Sequence, residues 1–185
     1  MALLTIPRTQ VVYAMSLHNA PAARCASGDT LCFETLDCFG GQITSPDQRL
    51  GGLDWDHINP ATGPLYVEGA RPGDGEVVVC GVEIAGRVTV RVTVLRDCPL
   101  PTPFLVTERA FMTISSASAL HDAAADATLR MREFLFRQVG LEEHDAGMVL
   151  SVAGDVRVCQ MVDPQVTCRM EVPRTVSDAY GYAFP

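Results

Sequence analysis

The residues of this chain best suited to chemistry are carboxylates set beside glycines. Glu34 and Asp37 lie in Glu34-Thr35-Leu36-Asp37-Cys38-Phe39-Gly40-Gly41-Gln42-Ile43. Glu68 closes Leu65-Tyr66-Val67, and Glu76 belongs to Gly73-Asp74-Gly75-Glu76. Glycine beside a carboxylate lets backbone and ligand approach closely. Carboxylates converging at strand ends would bind a hard divalent cation or share acid/base work at a raised pKa. On residue type alone, the commoner reading of each is a solvated loop carboxylate. His57 follows Asp54-Trp55-Asp56. It could complete a metal site, act as a base, or simply pack on Trp55 in an Asp/Asn-rich turn. His18, His121 and His144 have no acidic partner at ligand spacing. Cys38 near a turn could be a nucleophile, but Asp37 before it opposes a thiolate, so it reads as a small apolar filler. The chain has no Gly-x-Ser-x-Gly elbow. Its glycine-rich stretch Gly69-Ala70-Arg71-Pro72-Gly73-Asp74-Gly75 lacks the lysine of a phosphate loop.

These residues need elements to position them. Stretches 10–17 and 30–36 are apolar-rich and separated by the turn signal Ser27-Gly28-Asp29, so two strands are expected there. Glu34 then shares a face with Leu36, and Asp37 sits at the strand end. A short strand is expected at 65–67, after the Asn59-Pro60 and Gly63-Pro64 turns. Another follows at 88–94, where Val88, Val90, Val92 and Val94 alternate with Thr89, Arg91 and Thr93. Residues 98–103 read as a proline-rich turn and 111–115 as a strand. The period then changes. Ala124, Ala127, Met131, Phe134, Leu135 and Val139 make an apolar stripe, predicting a helix over 120–139 with Ser118 as N-cap and Gly140 as stop. A second helix is expected over 142–153, then strands at 156–162 and 166–172 around Asp163-Pro164. In the last strand Val166, Cys168, Met170 and Val172 point one way. The tail from Pro173 reads as a loose arm or an oligomer contact.

The chain has 185 residues, 48% of them hydrophobic and 19% charged, which fits one globular domain. A net charge of -8 argues against nucleic acid or an anionic membrane as partner. Residues 1–21 have neither the basic start nor the apolar run of a signal peptide, and no stretch approaches membrane-spanning length. Seven scattered cysteines, an odd number without a Cys-x-x-Cys pair, read as free thiols of a cytoplasmic protein.

The longest motifs carry a family resemblance. They are Gly28-Asp29-Thr30, the 34–43 segment, and Asn59-Pro60-Ala61-Thr62-Gly63-Pro64-Leu65-Tyr66-Val67-Glu68-Gly69-Ala70. Gly73-Asp74-Gly75-Glu76, Gly81-Val82-Glu83, Met112-Thr113-Ile114, Leu150-Ser151-Val152-Ala153-Gly154-Asp155 and Cys159-Gln160-Met161-Val162-Asp163-Pro164 follow. In this order they resemble the acetamidase/formamidase enzymes, which hydrolyse small amides to a carboxylic acid and ammonia. The resemblance covers nearly the whole chain. Members of that family carry a long central segment where this chain passes directly from Pro72-Gly73-Asp74 to Gly75-Glu76, so an internal deletion at Gly73-Asp74 is expected.

Residues and resemblance together set the expectations. The fold class is α+β, mainly β: an antiparallel, jelly-roll-like β-sandwich with two helices in the C-terminal half, lacking the central segment. One domain spans 1–185, with an N-terminal block 1–74, a C-terminal block 75–173 and a tail 174–185. The resemblance implies hydrolysis of formamide- or acetamide-class substrates, assisted by zinc or calcium. Glu34, Asp37, Glu68 and Glu76 are the expected catalytic groups, and Asp37, His57 and Glu76 the expected metal ligands. Gly40, Gly41, Asn59 and Gly75 are expected at the substrate, with backbone N–H groups around Gly40-Gly41 and Gly75 as oxyanion donors. A small amide and further copies of the chain are the expected partners. The alternative is a non-catalytic remnant or assembly module of the same family.

Overall fold

The computed structural model describes residues 2–71, 85–161 and 165–184. These divide into two compact units: 2–71 with 85–96, and 97–161 with 165–184.

The first unit is built on a three-stranded sheet of β1 (Leu3–Ile6), β4 (Thr30–Thr35) and β7 (Gly86–Arg91). β4 lies in the middle, parallel to β1 and antiparallel to β7. Two small ladders complete the unit. β2 (Val11–Val12) pairs antiparallel with β5 (Ala61–Thr62), and β3 (Ala23–Cys25) pairs parallel with β6 (Leu65–Val67). Ile6, Cys25 and Leu31 are buried, with Leu4, Phe33, Leu65, Val67, Val90 and Val92 packed against them. Alternation delivers Leu31 and Phe33 to one side of β4. Valine alternation in β7 is only half used: Val90 and Val92 join this core, while Val88 stays 47% exposed.

The strand expected over 10–17 shrinks to β2. Beyond it the chain makes local hydrogen bonds that compete with a ladder. Asn19 Nδ2 donates to the Ala14 carbonyl (2.7 Å), Asn19 N to the Ser16 carbonyl (3.1 Å), and His18 N to Ser16 Oγ (3.2 Å).

The second unit is a helix on a sheet. β8 (Phe104–Val106), β9 (Ala110–Ala117), β10 (Asp155–Gln160) and β11 (Val166–Pro173) form an antiparallel sheet in the order β10-β11-β9-β8. α1 (Leu120–Phe134) crosses β9 and β11, continues into a π turn (Leu135–Val139), and ends where Gly140 takes φ 85°. That left-handed stop is the one expected of Gly140. The buried stripe uses Ala123 rather than Ala124, then Ala127, Met131, Phe134, Leu135 and Val139. Ala119 is the N-cap instead of Ser118, with no side-chain capping bond. α2 (Glu143–Ala153) follows as expected.

Strand alternation cannot tell whether a sheet or a helix covers the buried face. This is where the sandwich expectation gives way: the apolar face of β9 and β11 is covered by α1, and the described residues form several small sheets, none closed into a barrel. The tail is not a loose arm. α3 (Arg174–Ala179) follows β11, Tyr182 meets Phe134 edge-on at 5.5 Å between centroids, and Phe184 lies 6.1 Å from Phe111. No helix among the described residues is long and apolar enough to cross a membrane.

Candidate functional site

Two loops of the first unit, both rich in the expected site residues, are joined to one another. The first leaves β4 and runs through Asp37, Cys38, Gly40, Gly41 and Gln42. The second carries Asp54, a single turn of 3-10 helix (Trp55–His57), and Asn59. Asn59 N donates to the Cys38 carbonyl at 2.7 Å, so Cys38 meets the second loop through its backbone. Asn59 takes φ 53°, a left-handed conformation that asparagine tolerates better than most side chains. Gly40, at φ 64°, takes a backbone conformation that suits glycine, and a Cβ there would lie 3.4 Å from the His57 carbonyl oxygen, in van der Waals contact with the second loop. Thr62 Oγ1 in β5 donates to the Glu34 carbonyl (2.9 Å), tying the second loop's exit to β4. Because β5 pairs with β2, Tyr13 just beyond β2 lies beside His57, the two rings 4.8 Å apart and perpendicular.

Asp37 Oδ1 accepts from Phe39 N (2.9 Å) and Gly41 N (3.1 Å), and the Asp37 carbonyl accepts from Gly40 N (2.9 Å). This is an Asx turn, formed because a short carboxylate reaches its own downstream amides. The N–H groups of Gly40 and Gly41 therefore close the loop on Asp37, and the oxyanion donors expected there are turned inward.

His57 Nδ1 lies 2.7 Å from Asp54 Oδ2, and Asp54 Oδ1 also accepts from Asp56 N (3.1 Å). The hydrogen bond from His57 is the largest influence on the Asp54 carboxyl; against the opposing effect of burial, and helped by the bond from Asp56, it holds the pKa below its ordinary value. An ionised carboxylate only accepts, so Nδ1 carries the proton and Nε2 is the basic nitrogen. Both side chains are more than half exposed, at 58% and 57%, so a small solute can reach them.

Glu34 and Glu68 do not gather here. Glu34 pairs across the β4–β7 ladder with Arg87 (3.0 Å), and Glu68 pairs with Arg24 (3.1 Å), whose guanidinium lies over Tyr66 at 4.2 Å. Glu76 and Gly75 lie outside the described residues. Among the described residues no three His, Cys, Asp or Glu side chains are grouped as a metal ion would require. Of the expected ligands, Asp37 and His57 are among the described residues and Glu76 is not.

Sequence reasoning missed Tyr13, Gln42 and Gln48 as parts of this site. Asp54 had a signal: a carboxylate three residues before a histidine in a tight turn can reach its ring. Gln42 had none, because its side chain bonds main-chain groups 12 and 15 residues away, and Gln48 had none because its partners are Thr44 and the Gln42 carbonyl, which no pattern marks.

No protein-family model and no curated protein sequence matches the chain. Solved structures do. An acetamidase from Bacillus halodurans matches at 28% identity over 96% of this chain and 99% of its own, with a TM-score of 0.88. A predicted acetamidase/formamidase from Thermoanaerobacter tengcongensis matches at 23% identity over 100% of both chains, TM-score 0.90. An acetamidase from Yersinia enterocolitica matches at 16% identity over 95% of this chain and 93% of its own, TM-score 0.79. The deletion expected at Gly73-Asp74 finds no support in this near-complete coverage, and the junction itself lies outside the described residues.

Proposed function

With an acetamidase/formamidase fold over nearly its whole length as the starting point, we propose that this chain hydrolyses short aliphatic amides to a carboxylic acid and ammonia. The observation that carries the reading is the likeness to the Bacillus acetamidase, supported by the His57–Asp54 pair on the joined loops. In this reading the acid/base part expected of Glu34, Asp37, Glu68 and Glu76 passes to His57. Nε2 takes a proton from water as the water oxygen attacks the amide carbon. The tetrahedral adduct collapses, the C–N bond breaks, and Nε2 returns the proton to the leaving nitrogen as ammonia departs. Asp54 fixes the ring's tautomer and stabilises the imidazolium between the two transfers. The perpendicular Tyr13 ring limits how far the imidazole can swing.

The test is ammonia release from formamide and acetamide by the purified full chain. Turnover is expected, and His57→Ala should lower kcat by about 10²- to 10⁴-fold, the usual worth of a positioned proton-transfer group. Absence of turnover by well-folded protein, or full activity of His57→Ala, would overturn the reading.

A further inference from the structure

The His57–Asp54 pair is exposed, and a side-chain pair in water does not hold one geometry by itself. Something must fix the backbone that carries it. A single carboxamide, that of Gln42, meets that backbone at three points. Gln42 Oε1 accepts from Asp54 N at 2.7 Å, and Gln42 Nε2 donates to the Asp54 carbonyl at 3.1 Å and to the His57 carbonyl at 3.3 Å. The side chain thus satisfies both main-chain polar groups of Asp54, as a neighbouring strand would, and reaches the far end of the turn as well. The bonds span 12 and 15 residues, so they fix one loop relative to the other rather than shaping either alone.

Gln42 is itself held. Gln48 Nε2 donates to the Gln42 carbonyl at 2.8 Å, while Gln48 Oε1 accepts from Thr44 N (3.0 Å) and Thr44 Oγ1 (3.3 Å). Gln42 N donates to the Phe39 carbonyl at 3.1 Å, linking it to the Asp37 turn. With the Gln42 main chain already held, its three side-chain bonds need order only the side-chain rotamers and not the backbone as well. Its two amide hydrogens and its carbonyl oxygen match the polarity of the groups they meet, which neither a carboxylate nor an apolar side chain of the same size can do.

We propose that Gln42 is a positioning residue for the His57–Asp54 pair: it sets the register of the 54–57 turn and thereby the tautomer and direction of the imidazole. The inference rests on His57 acting as the proton carrier for amide hydrolysis, but the ring geometry it concerns can be read without turnover. Gln42→Met keeps length and removes all three bonds. Gln42→Glu keeps an acceptor for Asp54 N and loses both donated bonds.

The experiment pairs kinetics with long-range proton–nitrogen NMR of the imidazoles, of which the chain has four. In the parent protein His57 should show protonated Nδ1 and bare Nε2. In Gln42→Met it should show a mixture of tautomers, and kcat for acetamide should fall about tenfold or more while KM stays within about twofold, as misplacement of a catalytic group predicts. Circular dichroism and the melting temperature establish that the variant is folded. If Gln42→Met does not fold, Gln42→Glu carries the same two measurements with the same expected directions. An unchanged His57 tautomer together with unchanged kcat in the folded variant would overturn the role of Gln42. An inactive parent whose His57 tautomer still shifts in Gln42→Met would overturn amide hydrolysis and leave the positioning role standing.

Discussion

Asp29 illustrates how one side chain sets both a local structure and its dependence on pH. It sits in the turn before β4 and accepts from Ala2 N (2.6 Å) with Oδ1 and from Ala26 N (3.0 Å) with Oδ2. These backbone hydrogen bonds, that from Ala2 first, favour the charged form and lower its pKa, outweighing the opposing effect of burial. The folded protein therefore holds the Asp29 proton less tightly than the unfolded chain does. The contribution is complete above the unfolded value, about 3.9, and is lost as pH falls through the lower folded one. Melting temperatures measured from about pH 5 to pH 3 should fall more steeply for the parent than for Asp29→Asn, and the two curves should converge in acid. Parallel curves would refute the assignment. Asn59 makes a different residue-scale case, conformational rather than electrostatic. At φ 53° a residue with an ordinary Cβ is strained by roughly 1–2 kcal/mol, and glycine is not. Asn59→Ala should lower the melting temperature, whereas Asn59→Gly should leave it nearly unchanged.

At the scale of elements, two glycines of one helical segment should respond oppositely to the same substitution. Gly154 ends α2 where the chain turns into β10. A Cβ there would collide with the Leu150 carbonyl oxygen and lie 3.0 Å from Met170 Sδ, which is part of the buried face of β11. Backbone cannot yield as a flexible side chain can, so Gly154→Ala should cost about 1–3 kcal/mol in denaturant unfolding. Gly147 lies within α2 with nothing near the site of a Cβ, and Gly147→Ala should stabilise by about 0.5–1 kcal/mol through helix propensity. Equal effects at the two positions would contradict this packing. The elements also mark what a sequence reveals. Val166, Cys168, Met170 and Val172 announce β11 because alternate side chains must reach a common face. The stripe through Ala127, Met131 and Phe134 announces α1 for the corresponding helical reason. β5 stayed hidden, and so did the short extent of β2, because a two-residue ladder holds no period and its partner is chosen by the tertiary fold. Gln42 was hidden more completely: its type is neutral in any pattern, and its partners are the main chain of residues 54 and 57. The motif residues Gly40, Asn59 and His57 were visible, but the bonds that make them a site were not.

At the scale of the whole molecule, the two buried clusters share no residue. Ile6, Cys25 and Leu31 with their neighbours lie between residues 4 and 92, while the second cluster runs from Leu100 to Phe184. Each unit supplies its own apolar burial, the largest favourable term in folding, so each can lose structure as a cooperative body of its own. The C-terminal aromatics give a direct test. Tyr182 meets Phe111 at 6.0 Å and Phe134 at 5.5 Å between centroids, and burial raises its hydroxyl pKa, with a further push from Cys98. Tyr182→Ala should remove about 2–4 kcal/mol of packing from the second cluster. By hydrogen exchange, amides of α1, β9 and β11 should lose protection, while those of β1 and β4 keep theirs. Leu31→Ala should reverse the pattern, because Leu31 is fully buried in the first cluster. If either substitution lowered protection equally in both units, the chain would unfold as one body. A weakened second unit that left β4 protected would also leave the joined loops and the His57–Asp54 pair intact. Tyr182→Ala should then retain ammonia release from acetamide at temperatures where the second unit remains folded, a comparison that separates the stability of the fold from the geometry of the site.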